Sequence, residues 1–180
     1  PESPMAQPVI VDGLTIANRF CILPMEGWDG TPDGRPSELT TRRWQHFGQS
    51  GAGLIWGGEA VAVRHDGRAN PNQLMITRDT LPDLIRLRQA LVDSHVAAGG
   101  SKDGPVVGIQ LTHSGRFARP DVWDKSAPLA ACHHPILDRR FAAGVRVLTD
   151  AEIVGIVEDY AAAARLAYAC GYQFVDAKAC

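Results

Sequence analysis

The sequence predicts an α/β fold in which short parallel strands alternate with helices. Four short apolar runs, at 20–23, 54–56, 106–111 and 172–177, are bounded by glycine, proline or polar residues, as buried strands are. A helical segment lies between each pair of successive runs, and right-handed β-α-β connections place such strands side by side in a parallel sheet. Each run ends in polar residues, and α/β proteins place their active sites at the carboxyl ends of parallel strands.

An antiparallel hairpin is predicted ahead of the first strand. The apolar runs 9–11 and 14–16 flank Asp12-Gly13, a pair that favours a two-residue turn because both turn residues need positive φ. The first strand stops at Pro24, and the glycine, proline and aspartate content of 25–36 predicts a structured loop.

Three helices are predicted from capping residues and apolar spacing. Ser37 can cap a helix over 38–49, and Thr80 can cap a second over 81–98. A capping box at 149–152 begins a third, alanine-rich helix.

The longest stretch without a predicted element is 117–148, and a loop of this length is uncommon unless it is functional. It contains His133-His134, but adjacent histidines point apart and no other ligand stands at metal-binding spacing, so we expect no metal site. The four cysteines are scattered without a Cys-x-x-Cys pair, which argues against a zinc ribbon and favours reduced thiols.

The composition is that of an ordinary globular protein. Of the 180 residues, 45% are hydrophobic and 21% are charged, and the net charge of −2 gives no reason to expect nucleic acid or an anionic membrane as partner. No apolar run approaches the ~20 residues that span a bilayer, and the first four residues do not resemble a secretory signal. We therefore expect a cytoplasmic protein.

Polar residues at the four strand ends form the candidate site. They are Glu26, Glu59, Gln110, His113, Asp176 and Lys178. The two glutamates could serve the chemistry or only pair with arginines such as Arg64, Arg68 or Arg116. A buried amide needs partners for its donor and its acceptor, so Gln110 could bond main chain or a flat heterocycle with the complementary pattern. A lone histidine such as His113 is more often structural than catalytic.

Taken in chain order, several of these stretches resemble the old yellow enzyme family. The hairpin is followed by Asn18-Arg19 and by a strand that ends in Leu23-Pro24-Met25. The other similar stretches are SGAGLI at 50–55, EAVAV at 59–63, DGR at 66–68, GIQLTHSGR at 108–116 and GYQFVD at 171–176. The likeness runs from about Val9 along the whole chain, in the expected order.

This resemblance implies a TIM (β/α)₈ barrel that binds FMN at the carboxyl ends of its strands. It also implies that hydride passes from NAD(P)H to the flavin and then to a small-molecule substrate, an activated alkene. By the same resemblance, Gln110 would bond the pyrimidine edge of the flavin, and the small Ala60 would let the backbone approach the ring. The implied flavin contacts are Leu23, Pro24, Met25, Glu26, Gly58, Ala60 and Gln110.

Two positions depart from the family's pattern. Glu26 stands where the family usually has a Thr or Cys that tunes the flavin, and a carboxylate there should disfavour the anionic reduced flavin unless it is neutralised or paired. Lys178 stands where the family commonly has a His that holds the carbonyl oxygen of the substrate. A lysine can polarise a carbonyl, so Lys178 is the candidate catalytic residue. The same side chain leaves open a Schiff-base lyase in which it is the nucleophile.

The length allows only about half of such a barrel. A full barrel needs about 250 residues, so residues 1–180 would supply the first four β/α units as the N-terminal part of one domain without an internal boundary. By resemblance, the flavin phosphate and a further basic contact to the ring would lie on later strands. We expect the remainder of the barrel to come from the same longer chain or from a second chain. The alternative is a non-catalytic half-barrel that assembles with a partner or with a second copy of itself.

Overall fold

The computed structural model describes residues 3–180 and places the four predicted strand regions side by side in one parallel sheet. In chain order the strands are β1 (Val9–Val11), β2 (Leu14–Ile16), β3 (Cys21–Ile22), β4 (Leu54–Ile55), β5 (Ala60–Ala62), β6 (Val106–His113), β7 (Leu129–Ala130), β8 (Arg146–Val147) and β9 (Phe174–Ala179). The helices are α1 (Glu38–Gln49), α2 (Leu81–Ala97) and α3 (Asp150–Ala169). The predicted parallel α/β arrangement is confirmed.

Strands β1 and β2 form the predicted antiparallel hairpin. Val9 pairs with Ile16, and the turn residues Asp12 and Gly13 have φ angles of 47° and 79°. The hairpin shares a small cavity with Leu54 and Val106, the first residues of β4 and β6. It therefore covers the amino-terminal end of the sheet and leaves the carboxyl ends of the strands open.

The order of the strands in the sheet follows their order in the sequence. Strand β3 pairs with β4, β4 with β6, and β6 with β9, and β5 continues the line of β4 along β6. The break between β4 and β5 falls at Gly57 and Gly58. Gly57 has a φ of 89°, and a Cβ there would lie 2.7 Å from the backbone nitrogen of Gln110, so only glycine allows this approach.

The register of the parallel pairs aligns residues from three strands. Gln110 of β6 lies between Ala60 of β5 and Asp176 of β9. Lys178 lies two residues beyond Asp176, and alternate residues of a strand point to the same face. Backbone pairing alone thus brings together four residues of the candidate site, which are Ala60, Gln110, Asp176 and Lys178.

All three predicted helices are present, with bounds within one residue of the prediction. Ser37 and Thr149 form capping boxes at α1 and α3. Thr80 is the N-cap residue of α2 as predicted, but its side chain makes no capping hydrogen bond, and its hydroxyl donates to the carbonyl oxygen of Met75 at 2.7 Å. In the part of the chain that the structure describes, no helix has the length and apolar character needed to cross a membrane.

The hydrophobic core lies between the sheet and the three helices. Strands β4 to β6 contribute branched aliphatic side chains, and each helix contributes one face. The large, fully buried residues of this core are Trp44, Ile55, Leu74, Ile76, Leu84, Leu87, Leu91, Ile109 and Leu111. A single core of this kind holds α1 and α2 against each other and against the outer face of the sheet.

The stretch 117–148 contains one pair of strands that the sequence analysis did not predict. Strands β7 and β8 pair in parallel over two residues each. The buried Arg116 precedes this region, forms an ion pair with Asp138, and donates to the carbonyl oxygen of Cys132 at 2.7 Å. This loop is therefore held against the carboxyl end of β6.

Strand β9 and helix α3 expose apolar surface. β9 pairs with β6 along one edge, and Val175 on its outer face is 40% exposed. On α3, Val154, Val157 and Tyr168 are exposed as well. Unpaired strand edges and apolar faces of this kind are normally covered by further structure.

Substitution of two helical glycines by alanine should change the stability of the fold in opposite directions. A Cβ at Gly48 of α1 would overlap the carbonyl oxygen of Leu91 in α2, so Gly48→Ala should destabilise the fold by roughly 1–3 kcal/mol through overpacking. A Cβ at Gly155 of α3 would meet nothing within 4 Å, so Gly155→Ala should stabilise the fold by up to ~1 kcal/mol through helix propensity.

Urea denaturation of both variants, followed by circular dichroism, measures these changes in the free energy of unfolding. Equal effects of the two substitutions would contradict the close packing of α1 on α2.

Candidate active site

A cleft lies beside the loop that follows β3, the first residue of β5, the middle of β6 and the last residues of β9. Its volume is about 410 Å³, within the ~300–1,000 Å³ typical of small-molecule sites. The lining residues are Pro24, Met25, Glu26, Trp28, Ala60, Gln110 and Lys178. Six of these seven were predicted as site residues from the sequence, and the structure brings them together from strands β5, β6 and β9 and from the loop after β3.

Two of the predicted flavin contacts lie outside the lining of this cleft. The side chain of Leu23 is 70% exposed beside it. Gly58 faces helix α1, because a Cβ there would meet Ile55 and Phe47 at 3.4 Å. The roles of Leu23 and Gly58 stay predictions.

An ion pair across the cleft joins the two edges of the sheet, because Glu26 follows the edge strand β3 and Lys178 belongs to the edge strand β9. Lys178 Nζ lies 3.4 Å from Glu26 Oε1 and donates to it. The glutamate side chain is 17% exposed and the lysine side chain 40% exposed. Of the two alternatives left open for Glu26, pairing with an arginine is not the one found among residues 3–180, because its cationic partner is Lys178 of β9.

The amide of Gln110 bonds a side chain rather than main chain. Its Nε2 donates to Asp176 Oδ2 at 2.7 Å, and Trp56 Nε1 donates to the same oxygen at 3.1 Å. Within residues 3–180, the carbonyl oxygen of this amide accepts no hydrogen bond. Gln110 therefore offers an acceptor at the cleft that a ligand N–H can use.

A second ion-pair cluster lies behind the wall of the cleft. Arg43 of α1 donates from Nη2 to Asp29 Oδ1 at 2.9 Å and to Glu59 Oε2 at 2.5 Å. The other oxygen of Glu59 accepts from the backbone N–H of Gly27 at 2.8 Å. The sequence analysis named other arginines for Glu59, and those are bound elsewhere. The cluster ties the loop after β3 to the start of β5 and to α1.

Burial dominates the electrostatics of this cluster. Burial raises the pKa of Glu59 to about 7, although the Arg43 guanidinium and the Gly27 N–H act in the opposite direction. Burial alone would lower the pKa of Arg43, but its two carboxylate partners raise it above the ordinary range. Burial also acts to raise the pKa of Asp29, and the hydrogen bonds from Arg43 and Thr40 outweigh it and lower that pKa.

His113 has a structural position, as its isolation in the sequence suggested. It is buried, its Nδ1 accepts from the backbone N–H of Gly115 at 3.1 Å, and its Nε2 lies 3.7 Å from Asp66 Oδ1. His113 has the largest effect on the pKa of Asp66, and together with Arg64 it lowers that pKa to about 2. The histidine is not among the residues that line the cleft.

Trp28 is a lining residue that the sequence analysis missed. It has a φ of 56°, which is rare for a bulky residue and shows that its surroundings hold it in place. Its ring lies 5.5 Å from that of Trp123 in the long loop 117–148. The sequence signal that could have identified Trp28 is its position as a tryptophan within a loop rich in glycine, proline and aspartate.

Comparison with known proteins identifies the chain. The sequence profile of the NADH:flavin oxidoreductase / NADH oxidase family matches residues 4–179. The chain belongs to this family. The resemblance to old yellow enzymes is thus confirmed across nearly the whole sequence.

Curated relatives of this chain are considerably longer than it is. A probable N-methylproline demethylase of Rhizobium meliloti (strain 1021) is 30% identical over 182 residues, which are 99% of this chain and 25% of the relative. An NADPH dehydrogenase of Geobacillus sp. (strain WCH70) is 28% identical over 183 residues, which are 97% of this chain and 47% of the relative. The chain therefore spans between a quarter and a half of the lengths of these two relatives.

Solved structures of the same family show the fold. Morphinone reductase in complex with tetrahydroNAD matches with a TM-score of 0.71 and 26% identity, over 98% of this chain and 49% of that one. The old yellow enzyme homologue from Zymomonas mobilis matches with a TM-score of 0.72 and 23% identity, over 97% and 48%. The prediction that this chain supplies the first four β/α units of a TIM barrel is confirmed, and the sheet of the described residues is open.

The raised pKa of Glu59 predicts a pH-dependent stability. Because this pKa lies near 7 in the folded protein and near its ordinary 4.5 in the unfolded chain, folding takes up a proton between these values. The free energy of unfolding should therefore fall by about 3 kcal/mol, at roughly 1.4 kcal/mol per pKa unit, as the pH rises from 4.5 to 7.

Glu59→Gln removes the titrating group and should remove this part of the pH dependence. Urea denaturation of both proteins at closely spaced pH values measures the difference. Parallel pH profiles of the wild type and the variant would contradict the burial of an ionisable carboxyl at this position.

Proposed function

We propose that this chain is the N-terminal part of an FMN-dependent oxidoreductase that passes hydride from NAD(P)H through the flavin to an activated alkene. The observation that carries the proposal is the cleft itself. It gathers Pro24, Met25, Ala60 and Gln110 on one side of the sheet, in a chain whose family is that of the NADH:flavin oxidoreductases.

The residues around the cleft suit a flat, partly polar ring. Pro24 and Met25 supply an apolar wall, and the side chain of Met25 is 69% exposed and thus available to a ligand. Ala60 pairs in register with Gln110, so a methyl group is all that separates the β5 backbone from the space beside the amide. The unused carbonyl oxygen of Gln110 can accept an N–H from the pyrimidine edge of the flavin.

FMN, when bound, supplies the hydride-carrying group, and the protein positions it. Gln110 fixes the in-plane orientation of the ring through directional hydrogen bonds. Lys178 is the candidate catalytic residue, since its partly exposed ammonium at the cleft can reach and polarise a carbonyl oxygen of the substrate. Glu26 holds that ammonium at the mouth of the cleft.

The remainder of the barrel is part of the proposal. β9 has one paired edge, α3 exposes apolar residues, and the relatives are two to four times as long as the segment that matches. We infer that residues 1–180 belong to one domain without an internal boundary. A continuation of the same chain or a second chain would complete this domain. We expect the complete protein to be cytoplasmic. A half-barrel that associates only with a second copy of itself is the competing arrangement.

A Schiff-base lyase is supported less well. A nucleophilic lysine is normally activated by desolvation in an apolar pocket or by a nearby cation. The side chain of Lys178 is 40% exposed and its partner is the carboxylate of Glu26. These surroundings suit a fixed positive charge rather than a nucleophile.

The proposal predicts that Gln110 contributes to flavin affinity. In the complete protein, Gln110→Leu should weaken FMN binding by about tenfold, because it removes a hydrogen bond worth roughly 1–1.5 kcal/mol. Gln89→Leu, on the exposed face of α2, is the matched control and should leave the affinity unchanged.

Quenching of FMN fluorescence during titration of the apoprotein measures both affinities. A complete protein that purifies without flavin absorbance and does not quench added FMN would overturn the proposed function. Equal affinities of the Gln110 and Gln89 variants would overturn the assigned contact alone.

A further inference from the structure

We propose that Glu26 and Lys178 act as one charge pair that sets the reduction potential of a flavin bound in the cleft. Lys178 would be the residue that makes a carboxylate at the position of Glu26 compatible with a reduced flavin. This inference rests on the proposed function, because it concerns this chain's own residues toward the flavin.

The cleft region carries more negative than positive formal charge. Two carboxylates belong to it, Glu26 in the lining and Asp176 bonded to the lining residue Gln110. Lys178 is the one ammonium or guanidinium group that lines the cleft within residues 3–180. The count of formal charges is therefore one positive against two negative.

Neutral groups rather than cations satisfy Asp176. Its Oδ2 accepts from the amide of Gln110 at 2.7 Å and from the indole of Trp56 at 3.1 Å. These donors lower the cost of the negative charge without cancelling it. The positive charge of Lys178 is thus directed to Glu26, at 3.4 Å.

Arg43 cannot take the place of Lys178. Arg43 lies behind the wall and makes hydrogen bonds to both carboxylates of its own cluster, Asp29 and Glu59. Its guanidinium also donates to the carbonyl oxygen of Gly58 at 3.3 Å. Loss of Lys178 would therefore leave Glu26 without a cationic partner.

Reduction adds negative charge to a flavin, so nearby carboxylates make reduction harder and a nearby ammonium makes it easier. The partners are 152 residues apart in sequence and stand at the ends of β3 and β9, on opposite sides of the cleft. Because the two groups are only 3.4 Å apart, a flavin ring beside the pair would be exposed to both charges. Substituting only one of the two would unbalance the site, and substituting both would restore the balance.

Four variants of the complete, FMN-loaded protein test the pair. Lys178→Met should lower the midpoint potential of the flavin, and Glu26→Gln should raise it. The double variant should return close to the wild-type value, and Lys178→Arg, which keeps the charge, should do so as well. Lys102→Met is the matched control, since Lys102 is exposed in the loop before β6 at the opposite end of the sheet.

Dye-equilibrated anaerobic titration measures the potentials, and sulfite binding provides a second readout that needs no turnover. Because the sulfite adduct places negative charge on the flavin, Lys178→Met should weaken sulfite binding by about tenfold and Glu26→Gln should strengthen it.

Potentials of Lys178→Met and Glu26→Gln that match the wild type, or a double variant whose potential stays as far from the wild-type value as that of either single variant, would overturn the inference. A complete protein that binds no FMN would instead overturn the proposed function. The two failures are therefore distinguishable.

Discussion

The parallel register of strand β6 with its two neighbours is the constraint on which the site depends. It sets Ala60, Gln110 and Asp176 in one row, and it brings Lys178 to the same face two residues further on. A slip of one residue would turn the polar side chains toward the helices and the apolar ones toward the cleft. The chemistry of the site thus follows from backbone pairing before any side chain contributes.

A buried carboxylate then fixes the part of the site that lies outside the sheet. Glu59 follows directly after the break at Gly57 and Gly58, and it binds both the Gly27 N–H and Arg43. The loop that carries Met25, Glu26 and Trp28 is therefore anchored to β5 and to α1. Burying this charge is costly, and such a cost is tolerated where it holds a functional loop in place.

Local patterns in the sequence predicted most of the fold, and contacts between distant residues account for what they missed. The hairpin, the strands and the three helices follow from turn residues, capping boxes and apolar spacing. The parallel pair β7 and β8 has no local signal, since each strand is two residues long. The pairing of Glu59 with Arg43 and of Glu26 with Lys178 requires the tertiary fold. The same is true of the Thr80 hydroxyl, which donates to the carbonyl oxygen of Met75 while Thr80 keeps the N-cap position of α2.

We propose that this chain forms one half of a flavin site and that the remainder of the barrel forms the other half. A crystal structure of the complete protein with FMN tests it most directly. We expect a further strand paired with the free edge of β9, and the flavin ring against Pro24, Met25 and Ala60 with Gln110 bonded to its pyrimidine edge. A flavin bound elsewhere, or a β9 edge that stays unpaired, would contradict this account.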